Sequence, residues 1–314
     1  MKHGTSERHT ETTSGIATKD GRKLTYQIHG PEPGDGIFPM FFMHGNPGCR
    51  LGPFPPYSTL STLNISIIAP DRPGYGQSDR KPGRFIADTA DDIAALADAL
   101  NVDRFGIMGR SGGVPHALAC AALLGDRIHN VSGLSGIAPP DDNFDRFEGM
   151  VPANAAIHRI AQQDSQALER KYRDLADMVA NHPSAFLQDF LWDQLGTEDK
   201  KLFYLQPELA NLYANIYYES LVPQQGIGWV DDTLALNKEW GFTLQDIQQP
   251  TLLWHGEYDI FSAMHNSVMM AEKIREGGNS AVRTITAPSH GHFDSLRALQ
   301  QILAYQRDKA RGLR

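Results

Sequence analysis

The sequence predicts an α/β protein built on a mostly parallel, doubly wound sheet, and three observations predict it. Short apolar runs alternate with amphipathic stretches along most of the chain, the order that puts helices on both faces of a parallel sheet. The runs at 37–43, 65–70 and 251–256 are nearly all apolar instead of alternating, as strands covered on both faces are. Residues 105–116 pass from an apolar run through Gly109-Arg110-Ser111-Gly112-Gly113 straight into an alanine-rich stretch, which reads as strand, tight turn and helix.

Taken in order, residues 1–17 are polar and contain no apolar core of a signal peptide, so a disordered tail is expected there. Residues 23–28 alternate polar and apolar after Asp20-Gly21, a hairpin-type strand. The strand at 37–43 ends in His44-Gly45-Asn46-Pro47-Gly48, and the strand at 65–70 runs into Asp71-Arg72-Pro73-Gly74-Tyr75-Gly76-Gln77-Ser78-Asp79. Ile93, Leu96, Ala97 and Leu100 have helical spacing over 88–100, with acids in the first turns. After the 105–124 unit, 131–137 is a further strand closed by Pro139-Pro140.

Between 141 and 241 the short apolar strands stop. Helical patterns at 155–161, 168–179, 186–195 and 209–218 take their place, with aromatics at Tyr204, Tyr213, Tyr217, Tyr218, Trp229 and Trp240. A helical cap over the sheet edge is expected, inserted into a core of 18–140 and 242–314. The aromatics suit a pocket lining or a plain helical core. The strand pattern resumes at 251–256, followed by Glu257-Tyr258-Asp259, a helix over 264–275, a strand over 282–286, the string Pro288-Ser289-His290-Gly291-His292-Phe293 and a closing helix over 296–305.

Composition narrows the partners. With 41% hydrophobic residues, 314 residues bury a large core. A net charge of −8 argues against nucleic acid or an anionic membrane surface as partner, and no apolar run approaches spanning length. The partner expected is a small-molecule substrate, with homo-oligomer formation left open. Two cysteines, Cys49 and Cys120, do not make a disulfide framework and fit a reducing, cytoplasmic compartment.

Ser111 is the candidate nucleophile, because the turn lifts it to the end of the sheet with a helix N-terminus behind it. A serine hydroxyl needs a base, and His290 and His292 compete for that role. The base needs an orienting acid. Asp259, three residues past a buried strand, suits this better than Asp232 or Asp294, although it also suits a helix N-cap. His290-Gly291-His292-Phe293-Asp294 matches an HxHxD metal-ligand pattern too, but Ser295 stands where a further histidine would be expected and no second ligand cluster is evident.

The motifs HGNPG, DRPGYGQSD, GRSGG, HGEYD and GH, in that order over about 18–307, make the chain resemble an α/β-hydrolase-fold serine hydrolase with a helical cap. The resemblance implies a Ser111–His292–Asp259 triad, with His292 favoured by its Gly-His-Phe setting. It implies an oxyanion hole from the N–H groups of Gly112 and Asn46, and no cofactor or metal. His44, Arg110 and His290 are candidates for substrate contact or for support of residues that make it. His44, Asp71 and Arg72 are expected to brace their loops. Arg110 replaces the His, Gln or Trp common at its position, and bracing the sheet is preferred over binding an acidic substrate.

HGNP also resembles the loop of haloalkane dehalogenases and epoxide hydrolases, but those attack with aspartate, and Ser111 favours acyl transfer. The implied reaction is hydrolysis of a small carboxylic ester, lactone or thioester through an acyl-enzyme. One alternative is an aminopeptidase resembling proline iminopeptidases, whose HGGPG has glycine at Asn46 and which commonly carry Trp at Gly112. It would need cap carboxylates such as Glu208 or Glu219 to hold an ammonium. A hydrolase-fold ligand-binding protein is the other.

Overall fold

The computed structural model describes residues 13–312. The first strand, β1 (Ser14–Ala17), pairs antiparallel with β2 (Lys23–His29), and β2 pairs antiparallel with a later strand. Ser14–Ala17 therefore departs from the expected tail, because those four residues complete a hairpin with the alternating segment that follows. Residues 1–12 lie outside the described residues.

From β3 (Phe38–Met43) the chain passes through helix α1 (Tyr57–Leu63) into β4 (Ile65–Pro70), then through α2 (Thr89–Ala99) into β5 (Phe105–Arg110). Helix α3 (Val114–Leu124) and β6 (Ile128–Leu134) follow. Five α-helices come next: α4 (Pro152–Gln163), α5 (Ser165–Asn181), α6 (Thr197–Leu205), α7 (Glu208–Leu221) and α8 (Ile227–Leu236), with a π-helical turn at Phe186–Leu191. β7 (Thr251–Gly256), α9 (His265–Glu276), β8 (Val282–Ala287) and α10 (Ser295–Ala310) complete the chain. Among the described residues no helix is long and apolar enough to cross a membrane.

The eight strands form one sheet in the order β1-β2-β4-β3-β5-β6-β7-β8, parallel from β4 through β8. The near-continuous apolar strands are buried on both faces, as their lack of alternation requires. One face packs on α2, α3 and α9 through residues such as Ile93, Leu118 and Ile274. The other packs on α1 and α10 through Leu60, Leu299 and Leu303. A third apolar cluster lies mainly within the helices between β6 and β7 and includes Tyr172, Phe186 and Leu221.

The strand order of this sheet positions the site. β3 pairs with β4 on one side, and the chain then crosses to place β5 on the other. At such a switch point two carboxyl-terminal loops separate and open a crevice. Met43 pairs with Gly109, so the loop after β3 and the turn after β5 begin side by side.

Candidate active site

The turn after β5 is strained where the sequence places its serine. Ser111 has φ of +53°, a left-handed conformation that costs a non-glycine residue on the order of 1–3 kcal/mol. Close packing holds it there. A Cβ at Gly109 would lie 2.6 Å from Val114 Cα, and one at Gly113 would collide with the carbonyl oxygens of Met43 and His44. Only glycine at both positions lets β3, β5 and α3 meet with no side chain between them. Ser111 thus stands at the carboxyl edge of the sheet with α3 running away beneath it.

His292 and Asp259 come from the loops after β8 and β7 and meet through one hydrogen bond, Nδ1 to Oδ2 at 2.8 Å. A carboxylate only accepts, so Nδ1 is the donor in this bond, and in the tautomer this selects Nε2 is the acceptor. Asp259 Oδ1 accepts the backbone N–H groups of Phe261 and Ser262 at 2.9 and 3.0 Å. Burial alone would raise this carboxyl. His292 and His255 outweigh burial and hold it well below the usual carboxylate range, so Asp259 stays ionised. His255 Nε2 lies 3.2 Å from Asp259 Oδ2, and its Nδ1 lies 2.7 Å from Ser267 Oγ.

Ser111 and His292 line one cavity. No hydrogen bond joins them among the described residues, as is common before a substrate closes such a site. His290 is turned away: its Nδ1 donates to Pro288 O at 2.7 Å and its ring lies edge-on to Trp254. The other acids considered are engaged elsewhere. Asp232 pairs with Arg72 and Arg84, and Asp294 accepts Gly291 N–H at 2.9 Å. His290, His292 and Asp294 therefore have three separate sets of partners and do not converge as metal ligands.

The loop after β3 is braced from below. Arg72 N–H donates to His44 Nε2 at 3.1 Å, which leaves Nδ1–H to donate to Gly45 O at 2.9 Å. Burial, with Arg72 adding to it, pushes His44 well below the usual imidazole range, so it stays neutral. The Arg72 guanidinium donates to His44 O, to Gly45 O at 3.3 Å and to Asn46 Oδ1, and it pairs with Asp232 at 2.6 Å. Asp71 accepts the backbone N–H and guanidinium of Arg50, both at 2.8 Å. Asn46 sits against the turn, since a Cβ at Gly112 would lie 2.6 Å from Asn46 Cγ. The backbone N–H groups of Asn46 and Gly112 have no partner among the loop and turn hydrogen bonds of the described residues.

The cavity has two lobes that meet at Ser111 and Asn46. Helices between β6 and β7 form much of its wall, contributing Ile157, Phe186, Tyr217 and Trp229. Of the aromatics singled out in the sequence, Tyr213, Tyr217 and Trp229 line it. Tyr204 and Tyr218 face solvent, and Trp240 packs in the sheet core. Arg110 also lines the cavity while its Nε donates to Ser295 Oγ at 3.1 Å, so it both braces and borders the site. Glu208 is exposed and Glu219 pairs with Arg50 at 2.7 Å; neither lines the cavity.

Sequence reasoning missed Asp199. It lies on α6, which was not expected as a helix, and accepts the N–H groups of His292 at 3.1 Å and Phe293 at 2.7 Å. Burial pushes its carboxyl up to about 6, against the pull of His292 and the two N–H donors. His255 was read only as part of a strand. A histidine on an otherwise apolar strand, four residues before a candidate acid, is the signal that marks it.

The α/β-hydrolase fold family model matches residues 39–298. Among curated sequences, the chain is 28% identical over 120 residues to the uncharacterized hydrolase YcgS of Bacillus subtilis (38% of this chain, 40% of that protein). It is 23% identical over 176 residues to 3-oxoadipate enol-lactonase 1 of Acinetobacter baylyi (55% of this chain, 65% of that protein). The matches thus span less than two thirds of these relatives' own lengths. Among solved structures, a thermophilic esterase from Thermogutta terrifontis superposes with a TM-score of 0.65 at 20% identity, covering 96% of this chain and 98% of that one. That likeness shows the fold, and the family model extends from within β3 into α10, across the loops that carry Asn46, Ser111, Asp259 and His292. The chain belongs to the α/β-hydrolase fold family.

Proposed function

We propose that the protein is a serine hydrolase that cleaves a small carboxylic ester, lactone or thioester through an acyl-enzyme. The observation that carries this reading is the Asp259–His292 hydrogen bond of 2.8 Å beside a cavity that Ser111 also lines from a strained turn. In this mechanism His292 Nε2 takes the proton from Ser111 Oγ as the oxygen attacks the carbonyl carbon. Asp259 keeps the ring in the required tautomer and stabilises the imidazolium that forms. The developing oxyanion meets the N–H groups of Asn46 and Gly112, each such donor typically contributing about 3 kcal/mol in the transition state. As the tetrahedral intermediate collapses and the bond from the carbonyl carbon to the leaving oxygen or sulfur breaks, His292 gives its proton to that atom. Water activated by the same nitrogen then attacks the acyl-enzyme to release the acid and free Ser111.

The names of similar proteins, enol-lactonase and esterase, agree with attack on an ester carbonyl. The aminopeptidase alternative needs an acid to hold the substrate ammonium. Among the described residues, no Asp or Glu lines either lobe of the cavity. That favours the ester reading. The partner proposed is accordingly a small molecule. A panel of short esters, lactones and aminoacyl amides assayed with wild type and Ser111→Ala tests the assignment. Turnover of an ester or lactone that is lost in Ser111→Ala is expected. Turnover confined to aminoacyl amides, or unchanged in the variant, contradicts it.

A further inference from the structure

Arg110 is the exception among the buried arginines. Five arginines are buried among the described residues, and four of them spend their terminal nitrogens on acceptors. Arg50 pairs with Asp71 and Glu219, Arg72 with Asp232, and Arg84 with Asp231 and Asp232. Arg146 donates to Ala138 O, Leu236 O and Asn237 Oδ1. Arg110 is 7% exposed, and among the described residues it forms no ion pair; its single hydrogen bond to them uses Nε, and its Nη2 is buried with no partner there. A guanidinium cannot escape this by losing its proton, and a buried cation with unused donors is costly.

The guanidinium is held where a substrate would meet it. Ser295 Oγ, its acceptor at 3.1 Å, in turn donates to His292 O at 3.0 Å. Its central carbon lies 5.0 Å from the Phe293 ring centroid and 5.9 Å from that of Tyr213. A Cβ at Gly45 would lie 3.4 Å from Ser111 Cβ and 3.9 Å from Arg110 Nη1, so the charge sits within a few bonds' reach of the nucleophile. Two more buried donors that border the same cavity lack partners: Asn46 Nδ2, whose Oδ1 is taken by Arg72, and the Tyr213 hydroxyl. The lobe thus gathers one cation and two neutral donors, and no Asp or Glu lines it.

We infer that this lobe takes the carboxylate of a substrate whose scissile ester or lactone carbonyl lies only a few bonds away, with Arg110 as the residue that binds it. The inference deepens the serine-hydrolase reading and rests on it. A carboxylate accepts two guanidinium N–H groups at once and supplies the acceptor that Nη2 lacks. A site built around an ionic partner discriminates against the analogue without it, because the analogue leaves the charge buried and unpaired.

The test compares mono-4-nitrophenyl succinate with the neutral 4-nitrophenyl butanoate of similar size, using wild type, Arg110→Met and Arg110→Lys. Wild type should favour the succinate in kcat/KM, and the ratio of the two values should fall by at least about tenfold in Arg110→Met. Arg110→Lys, which keeps the charge, should retain part of the preference. In parallel, calorimetry with the Ser111→Ala protein should show monomethyl succinate binding more tightly than methyl butanoate, with the difference abolished by adding Arg110→Met. Equal losses for both esters in Arg110→Met, or equal binding of the two methyl esters to Ser111→Ala, would overturn the inference. Because calorimetry needs no turnover, failure of the nucleophile assignment appears separately, as ester cleavage that Ser111→Ala does not remove. A melting curve that matches wild type for Arg110→Lys shows that a changed ratio in that variant is not a folding defect.

Discussion

Asp199 and His292 are joined through the backbone: the His292 N–H donates to Asp199 Oδ2 at 3.1 Å, while the His292 ring donates to Asp259. The second oxygen of Asp199 accepts the next N–H along, that of Phe293. A helix between β6 and β7 thereby grips the loop that carries the candidate base. The ring's position depends on two carboxylates, one holding Nδ1 and one holding the main chain.

Asp199→Asn removes one of these holds, since an amide offers one acceptor and turns an N–H₂ towards the remaining backbone donor. Its kcat for the best ester should fall by about 10-fold or more, through displacement of His292. A kcat within twofold of wild type would contradict the positioning role.

The same carboxyl should leave a signature in stability. Its folded pKa, about 6, lies above the ordinary value of 3.8. The folded state therefore holds the extra proton between these values, and stability falls as pH rises through about 6. Relative to Asp199→Asn, wild type should lose about 1 kcal/mol between pH 5 and pH 7.5, measured by urea denaturation at both. A difference between the two proteins that does not change with pH would contradict the raised value.

Asp259→Asn should lower kcat by roughly 10³–10⁴-fold with little change in fold, because an amide can hold His292 in the wrong tautomer. His290→Ala should change kcat by no more than about twofold, since that ring is bonded within its own loop and partly exposed. The reverse pattern in steady-state assays would make His290 the base.

Strain at the turn predicts a stability difference between two inactive proteins. Ser111→Gly should be more stable than Ser111→Ala by about 1 kcal/mol, because glycine adopts a φ of +53° without a Cβ penalty. Equal thermal midpoints would show that the turn stores no strain.

Asp232→Ala should destabilise by roughly 3–5 kcal/mol, because it strips both Arg72 and Arg84 of a buried counter-charge. Denaturant midpoints test this. A loss below about 1 kcal/mol would show that the two arginines find other acceptors.

The parts of this site that were legible in the sequence are those encoded by local constraints. The turn at Gly109–Gly113 is readable because the backbone approaches that exclude side chains fall within a five-residue string. Asp259 is readable because it follows a buried apolar strand, and His292 because it follows the last strand in a Gly-His-Phe string; strand ends are where an α/β sheet presents its chemistry. Asp199 was not legible. Its partners lie 93 and 94 residues away, and nothing in the local Thr197–Leu205 pattern marks one acid from its neighbours. Nor could composition tell Tyr213, which lines the cavity, from Tyr204, which is 83% exposed. Ser14–Ala17 escaped for a related reason: four residues at a sheet edge take their conformation from the partner strand rather than from their own pattern.

The reading as a whole rests on Ser111 acting as an activated nucleophile. The most direct measurement is mass spectrometry of the protein after reaction with a fluorophosphonate. One phosphonyl group on the peptide containing Ser111, absent from Ser111→Ala and strongly slowed in His292→Ala, is the predicted result. Equal labelling of wild type and Ser111→Ala, or an adduct on a different residue, would contradict it.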